Sequence, residues 1–313
     1  NDRRPAIFHS RISLGIAEML HIMPEFHARS ADTNPDAHVL VVGASRGIGL
    51  AIVEALLSQP GLSRGMPSAP IVLAACRHPA LASALRALQQ KYPERLVIAD
   101  VDVTQADSIS ALAQHVRQVT SRLDMVINTV GLLHEAASAD GTPPLRPEKA
   151  LSQLRIDALA RSFAVNAWAP ILLAQALMPL VSRQQSFVFA SLSARVGSIG
   201  DNQLGGWYSY RAAKAAQNQF MKTWAIELSR THPLATVLIL HPGTTDTDLS
   251  KPFSAHVSPE KLFSTARVAR DLLAAGAGRC PRLAGLCTAY AWTAAFGVTN
   301  DSLPFIGARR RQS

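Results

Sequence analysis

At 313 residues, 48% hydrophobic and 17% charged, the chain can bury a sizeable core as one large domain or two small ones. Its formal net charge of +9 comes mostly from scattered arginines; only Arg309, Arg310 and Arg311 run together, with no interleaved aromatic residues, which argues against a nucleic-acid surface. The three cysteines (Cys76, Cys280 and Cys287) are odd in number and lack metal-ligand spacing, which argues against a disulfide framework or metal centre and fits a reducing compartment. No apolar run reaches the ~20 residues of a membrane span.

The chain begins at Asn1 with a stretch whose Phe8, Ile12, Ile16, Met19, Leu20 and Met23 recur at helical spacing, beside Arg3, Arg4 and Arg11. Residues 1–37 are expected to be an extension, either the remnant of an organelle transit peptide or a docking helix, with Glu18 and Glu25 counting against the former. An organelle matrix or stroma is therefore favoured over the cytoplasm. Next, His38 to Val42 is a short apolar run rich in β-branched residues and predicts a buried strand; a glycine turn and a helix to about Leu57 follow. Strands are then predicted in APIVLAACRHP, RLVIADVDVT, DMVINTVG, SFVFASLS and ATVLILHPG. Between them lie helices in ALASALRALQQKY, in DSISALAQHVRQVTSRL (opening at an Asp107 cap), over Arg161 to Val181, and around Tyr210. The loop Ala137 to Ala150 is a polar insertion without assignable chemistry, and Leu283 to Val298 predicts a buried or interface helix.

Strands alternating with helices imply parallel pairing through right-handed crossovers. The expected fold is α/β, a doubly wound (Rossmann), mostly parallel sheet with helices on both faces. It occupies residues 38–279, with extensions at 1–37 and 280–313. Such sheets bind ligands at the carboxyl ends of their strands.

Two local patterns carry chemistry. In GASRGIG, Gly43, Gly47 and Gly49 lie between a strand and a helix. The first allows a tight turn, the second lets backbone approach a pyrophosphate, and the third lets the helix pack on the sheet, with the helix N-terminus facing the phosphates. The second strand ends at Arg77 rather than at an acid, and Arg46 sits inside the turn. Two guanidiniums and no carboxylate favour the 2′-phosphate of NADP(H). In WYSYRAAKAAQ, the second pattern, Tyr210 and Lys214 stand four apart in an alanine-rich helix and share a face. A nearby cation lowers a phenol's pKa, which would let the pair exchange a proton with a substrate oxygen.

GASRGIG, NTVG, Asn166 and YRAAK occur in an order that resembles the short-chain dehydrogenase/reductase family over about His38 to Pro252. LSARVGSIGDNQLGGWYSYRAAK and HPGTTDTDLSKPF resemble its C-factor-like and sniffer-like carbonyl reductases. The resemblance implies a cofactor site at Gly43, Ser45, Arg46, Gly47, Ile48 and Gly49, an adenine contact at Asp102 and Val103, and further contacts at Asn128, Gly131, Pro242, Gly243, Thr245 and Thr247. It also implies a tetrad of Asn166, a serine, Tyr210 and Lys214 acting on a small aldehyde or ketone with NADP(H). Tyr210 would protonate the carbonyl oxygen, Lys214 would bind the nicotinamide ribose, the serine would hold the substrate oxygen, and Asn166 would support a water-mediated proton path.

This sequence departs from the family in three places. Val42 stands where the glycine motif usually begins with Thr, removing a hydroxyl that ties the turn down, and NTVG stands for NNAG. The catalytic serine slot falls on Ala194 by an ungapped count from Gly197 and on Ser193 with a shift of one; Ser193 is preferred because the reaction needs an oxygen-binding donor, with Ser191 and Ser198 as weaker candidates. Of the histidines, His241 is expected to pack rather than catalyse, while His134 and Glu135 either border the substrate pocket or lie in a solvated loop. Asp246 and Asp248 are expected in turns, and Trp168 and Trp207 in the core or the pocket wall. The alternative to a reductase is a non-catalytic, dinucleotide-binding subunit of a larger assembly, joined through its extensions; the enzyme itself is expected to be a small homo-oligomer.

Overall fold

The computed structural model describes residues 37–58, 70–138, 141–255, 257–276, 294–295 and 305–306. The expectations for both extensions fall outside them, except that Ala294–Ala295, within the stretch expected to be helical, form a two-residue strand.

Six parallel strands make the body of an eight-stranded sheet: β1 His38–Val42, β2 Ile71–Cys76, β3 Leu96–Asp100, β4 Met125–Asn128, β5 Phe187–Leu192 and β6 Ala235–Leu240. Their order is β3-β2-β1-β4-β5-β6. β1 pairs in parallel with β2 on one side and β4 on the other, with Val42 opposite both Ala75 and Asn128. The chain reverses its direction of travel between β1 and β4, where a doubly wound sheet opens a crevice beyond its carboxyl ends. Ala294–Ala295 extend the β6 edge in parallel, and Phe305–Ile306 pair antiparallel to them. A separate pair joins β7 Thr244–Thr245 to β8 Leu262–Phe263.

Alternation along the strands divides the core in two. Val39 and Val41 face α1 (Gly47–Ser58), α2 (Ser83–Lys91) and α7 (Thr265–Gly276), meeting Ile52, Leu56, Leu85 and Leu272. Leu40 and Val42 face α3 (Ala106–Val119), α5 (Ala169–Leu177) and α6 (Tyr208–Thr231), meeting Leu112, Leu173, Met221 and Trp224. Phe189, fully buried, stacks edge-on against Trp224 at 5.1 Å between ring centroids.

Three local expectations are adjusted. α3 opens at Ala106 with Gln105 as its N-cap, and Asp107 lies in the first turn, where the carboxylate meets the positive end of the helix dipole instead of capping it. The long helix starts earlier than Arg161, as α4 (Ile156–Phe163), and is interrupted by a π-helical turn, Ala164–Trp168, before α5. The run Ile156–Leu180 is also long and apolar enough to cross a membrane, although polar residues interrupt it; here Leu173, Ala174 and Leu177 pack it into the core.

Candidate active site

A cleft of about 1630 Å3 runs across the carboxyl ends of the strands, larger than the few hundred Å3 a small substrate alone needs. Its walls include Gly43, Ser45, Arg46, Gly47, Ile48 and Gly49 from the β1–α1 turn. They also include Arg77 after β2, Asp102 and Val103 after β3, Gly131 after β4, and Pro242, Gly243, Thr245 and Thr247 after β6.

Gly43 and Gly47 have φ of +90° and +57°, a region that penalises side chains. A Cβ on Gly49 would lie 2.2 Å from the Gly43 carbonyl oxygen, so α1 approaches the turn as closely as only glycine permits. The hydroxyl missing at Val42 is supplied from elsewhere: Thr129 Oγ1 donates to the Val42 carbonyl at 2.9 Å and lies 3.3 Å from that of Gly43. The two departures, Val for Thr and NTVG for NNAG, thus compensate one another. Thr247 closes the cradle from the β6 side, its methyl 3.4 Å from where a Cβ on Gly47 would stand. The bare, positively curved turn at a helix N-terminus fits a pyrophosphate. Arg46 and Arg77 both line the cleft near the glycine turn, and Arg46 is ion-paired with Asp248 at 2.7 Å. Asp102 also lines the cleft, but its carboxylate is turned back onto the Thr104 amide and hydroxyl.

Tyr210 and Lys214 stand on one face of α6 and both line the cleft. Lys214 Nζ lies 5.8 Å from the Tyr210 ring centroid and donates to Leu192 O and Gln217 Oε1, each at 2.9 Å. The expected lowering of the phenol's pKa is not what the chain alone produces. Burial pushes the Tyr210 hydroxyl up, and burial pushes Lys214 down to about 7. Desolvation outweighs the effect of a cation whose own charged form burial disfavours. Beside them, burial and the Arg195 charge push His241 down to about 4, which keeps it neutral; it lines the cleft, and its Nδ1 is buried without a hydrogen-bond partner.

Ser193 and Ala194 both line the cleft. The Ser193 hydroxyl donates to Asn218 Oδ1 at 2.7 Å, one turn beyond Lys214 on α6. The structure does not bring Asn128 or Asn166 to the cleft wall. Asn128 is wholly buried and bonds Ser191 Oγ and the Val130 amide. Asn166, in the π-helical turn, exchanges hydrogen bonds with both the amide and carbonyl of Leu132, tying the helix to the loop after β4. Ser191 lies buried behind the sheet end and Ser198 lies outside the cleft lining. Glu135 lines the cleft; His134 bonds the Asp248 carbonyl instead.

Sequence reasoning missed one anchor. Glu148, in the insertion without assigned chemistry, is buried, and its carboxylate accepts from the Ser209 amide at 3.2 Å and from the Ser209 hydroxyl. Its own carbonyl accepts from the Trp207 amide. Trp207 is the one described non-glycine residue with positive φ, +51°, and its ring lies 5.0 Å from Phe253 and 6.3 Å from Tyr210. The only advance signal was an acid placed among prolines and basic residues. Among the described residues, no group of three or more potential metal ligands gathers.

Comparison with known proteins places the chain in a family. The family model described as short chain dehydrogenase matches residues 37–258. A 1-hydroxy-2-glutathionyl-2-methyl-3-butene dehydrogenase of Rhodococcus sp. (strain AD45) is 32% identical over 228 residues, covering 71% of this chain and 85% of the relative. An NADPH-bound carbonyl reductase from chicken fatty liver superposes with a TM-score of 0.64 at 27% identity, covering 77% of this chain and 86% of the other. A putative short-chain dehydrogenase/reductase from Burkholderia multivorans with bound NADP gives a TM-score of 0.61 at 28% identity, over 78% and 93% of the two chains.

Proposed function

The chain belongs to the short chain dehydrogenase family and is an oxidoreductase dependent on a nicotinamide dinucleotide, and on that premise we propose that it uses NADPH to reduce an aldehyde or ketone to an alcohol. The observation that carries this proposal is the meeting, in one cleft, of the glycine cradle with Tyr210 and Lys214. NADPH over NADH is supported by Arg46 and Arg77 and by the lack of any acidic side chain directly after β2, where Arg77 and His78 stand. It is also supported by the chicken carbonyl reductase and the Burkholderia protein, described with NADPH and NADP.

When bound, the reduced dinucleotide supplies the hydride that the carbonyl carbon receives. The work of the chain is then positional and electrostatic. Because burial raises its pKa, Tyr210 stays protonated across the neutral range and presents an acid. As the carbonyl oxygen gains charge, the Tyr210 hydroxyl donates its proton to it, and the phenolate left behind is next to Lys214. The ammonium form of Lys214 favours that phenolate, so Lys214 serves the second half of the proton transfer. Water re-enters the open cleft to reprotonate Tyr210. Ser193 can turn from Asn218 to the substrate oxygen only by giving up its 2.7 Å hydrogen bond.

That engaged serine favours a second reading, a dinucleotide-binding subunit with little turnover. One experiment separates the two: loss of NADPH absorbance with a panel of aldehydes, ketones and quinones, for the wild type and Tyr210→Phe. Turnover that falls by about 10²–10⁴-fold in the variant, with dinucleotide binding kept, establishes the reductase. Binding without turnover in either protein establishes the subunit.

A further inference from the structure

Directly behind Lys214 lies a polar network that the reaction just described does not use. Lys214 and Gln217 are three residues apart on α6, on the same face, and are 2% and 0% exposed. Gln217 Nε2 donates to Ser191 Oγ at 2.9 Å and to Leu192 O at 3.1 Å. Ser191 Oγ also accepts from Asn128 Nδ2 at 3.0 Å. The network therefore runs from β4 across β5 to α6, and Asn128, Ser191 and Gln217 are all fully buried.

The orientation of the Gln217 amide follows from its partners. Leu192 O can only accept, so the NH₂ end must face β5 and the carbonyl end must face the Lys214 ammonium. A buried amide is costly unless every polar atom is satisfied. Here Oε1 is satisfied by the lysine and Nε2 by β5. Lysine has three N–H donors, and Leu192 O and Gln217 Oε1 take two, leaving one for the cleft.

Of the other described groups around Lys214, the Tyr210 ring, 5.8 Å from Nζ, offers its charge a weak cation–π attraction and the rest offer none. Tyr210 is a neutral phenol on the same helix. The 3₁₀ turn Arg195–Gly197 packs against the Lys214 backbone and carries Arg195, a like charge paired to Asp201 at 3.3 Å. His241, after β6, is neutral. Among the described residues, no carboxylate forms an ion pair with Lys214. Its ammonium form rests chiefly on the Leu192 carbonyl and the Gln217 amide, with the Tyr210 ring a weaker contact.

We propose that Gln217 is a positioning residue: it holds the Lys214 amino group against β5 with one N–H directed to the cleft, and it favours the charged form of that group. The role of Lys214 in turnover rests on the function proposed above, but the state of its amino group can be measured without turnover. The test is a pH titration of the Lys214 Cε resonance by carbon NMR on the full chain, assigned with Lys214→Arg, for the wild type, Gln217→Met and Gln217→Glu. A hydrogen bond to a charged group is worth about 1.5–3 kcal/mol, so Gln217→Met should move the midpoint about one to two pH units lower. Gln217→Glu puts a carboxylate in place of the amide and should move it up. The falling alkaline limb of kcat/KM should shift with the midpoint in each variant.

Midpoints equal to the wild type in a folded Gln217→Met or Gln217→Glu protein would overturn the proposal. Should Gln217→Met fail to fold, Gln217→Glu decides alone: an upward shift supports the inference and no shift removes it. A Tyr210→Phe variant as active as the wild type would remove the reductase mechanism instead, and the NMR midpoints would still decide the role of Gln217.

Discussion

Substituting Gly49 by alanine tests the dinucleotide cradle most directly. A Cβ there would meet Gly43 O at 2.2 Å, Thr129 Oγ1 at 2.7 Å and Gly43 C at 2.9 Å, where ordinary contact begins near 3.4 Å. The worst contact is short by over an ångström, and its partner is backbone at a turn, not the end of a flexible side chain. Relief requires α1 to move off the end of β1 by about that distance. Overpacking a well-fitted site costs about 1–3 kcal/mol, and a backbone partner puts this case at the upper end, about 3 kcal/mol. For a domain of this size that lowers Tm by about 6–12 °C. Because the N-terminus of α1 forms part of the proposed dinucleotide cradle, a displacement near 1 Å should cost about 100-fold in kcat/KM. Scanning calorimetry gives the first number, and fluorescence titration with NADPH and NADH shows whether binding fails as well. Gly200→Ala is the internal control: a Cβ there meets nothing within 4 Å, so Tm and binding should stay at wild-type values. A Gly49→Ala protein with wild-type Tm and dinucleotide affinity would refute the reasoning.

If Arg46 and Arg77 select the 2′-phosphate, replacing both by alanine should cut the preference for NADPH over NADH about 10²-fold, measured as a ratio of dissociation constants. Asp248→Asn frees Arg46 from its 2.7 Å ion pair and should tighten NADPH several-fold without changing NADH. Glu148→Ala strips the Ser209 amide and hydroxyl of their buried acceptor at the start of α6; urea unfolding should show a loss of about 1–3 kcal/mol, and kcat should fall because Tyr210 stands in that first turn. Phe189→Ala opens the centre of the core against Trp224 and should cost about 3–5 kcal/mol in the same assay, leaving the ratio of NADPH to NADH affinity unchanged.

Much of this protein was legible before folding because its signals are local. The apolar run at His38–Val42, the glycines after it and the helix to Ser58 specify one strand–turn–helix unit within a short span of chain. The alternation of such units fixes a parallel, doubly wound sheet, and with it the crevice beyond β1 and β4. The spacing of Tyr210 and Lys214 placed them on one face of α6, because a helix repeats every 3.6 residues whatever surrounds it.

What the tertiary structure decided depends on groups far apart in sequence or on loss of water. Thr129 makes good the hydroxyl missing at Val42, 87 positions away, and no periodicity announces such a pairing. Glu148 and Ser209 are 61 apart, and Arg46 and Asp248 are 202 apart. Asn128 and Asn166 carry the residue types of a cleft but are turned inward by partners on neighbouring elements. Gln217 looks like one more polar residue in an exposed helix until β5 covers it. The charge states of Tyr210 and Lys214 belong here too. Spacing along α6 sets how near they stand, but burial sets their proton affinities, because the free energy of a charge depends on the water excluded by the whole fold.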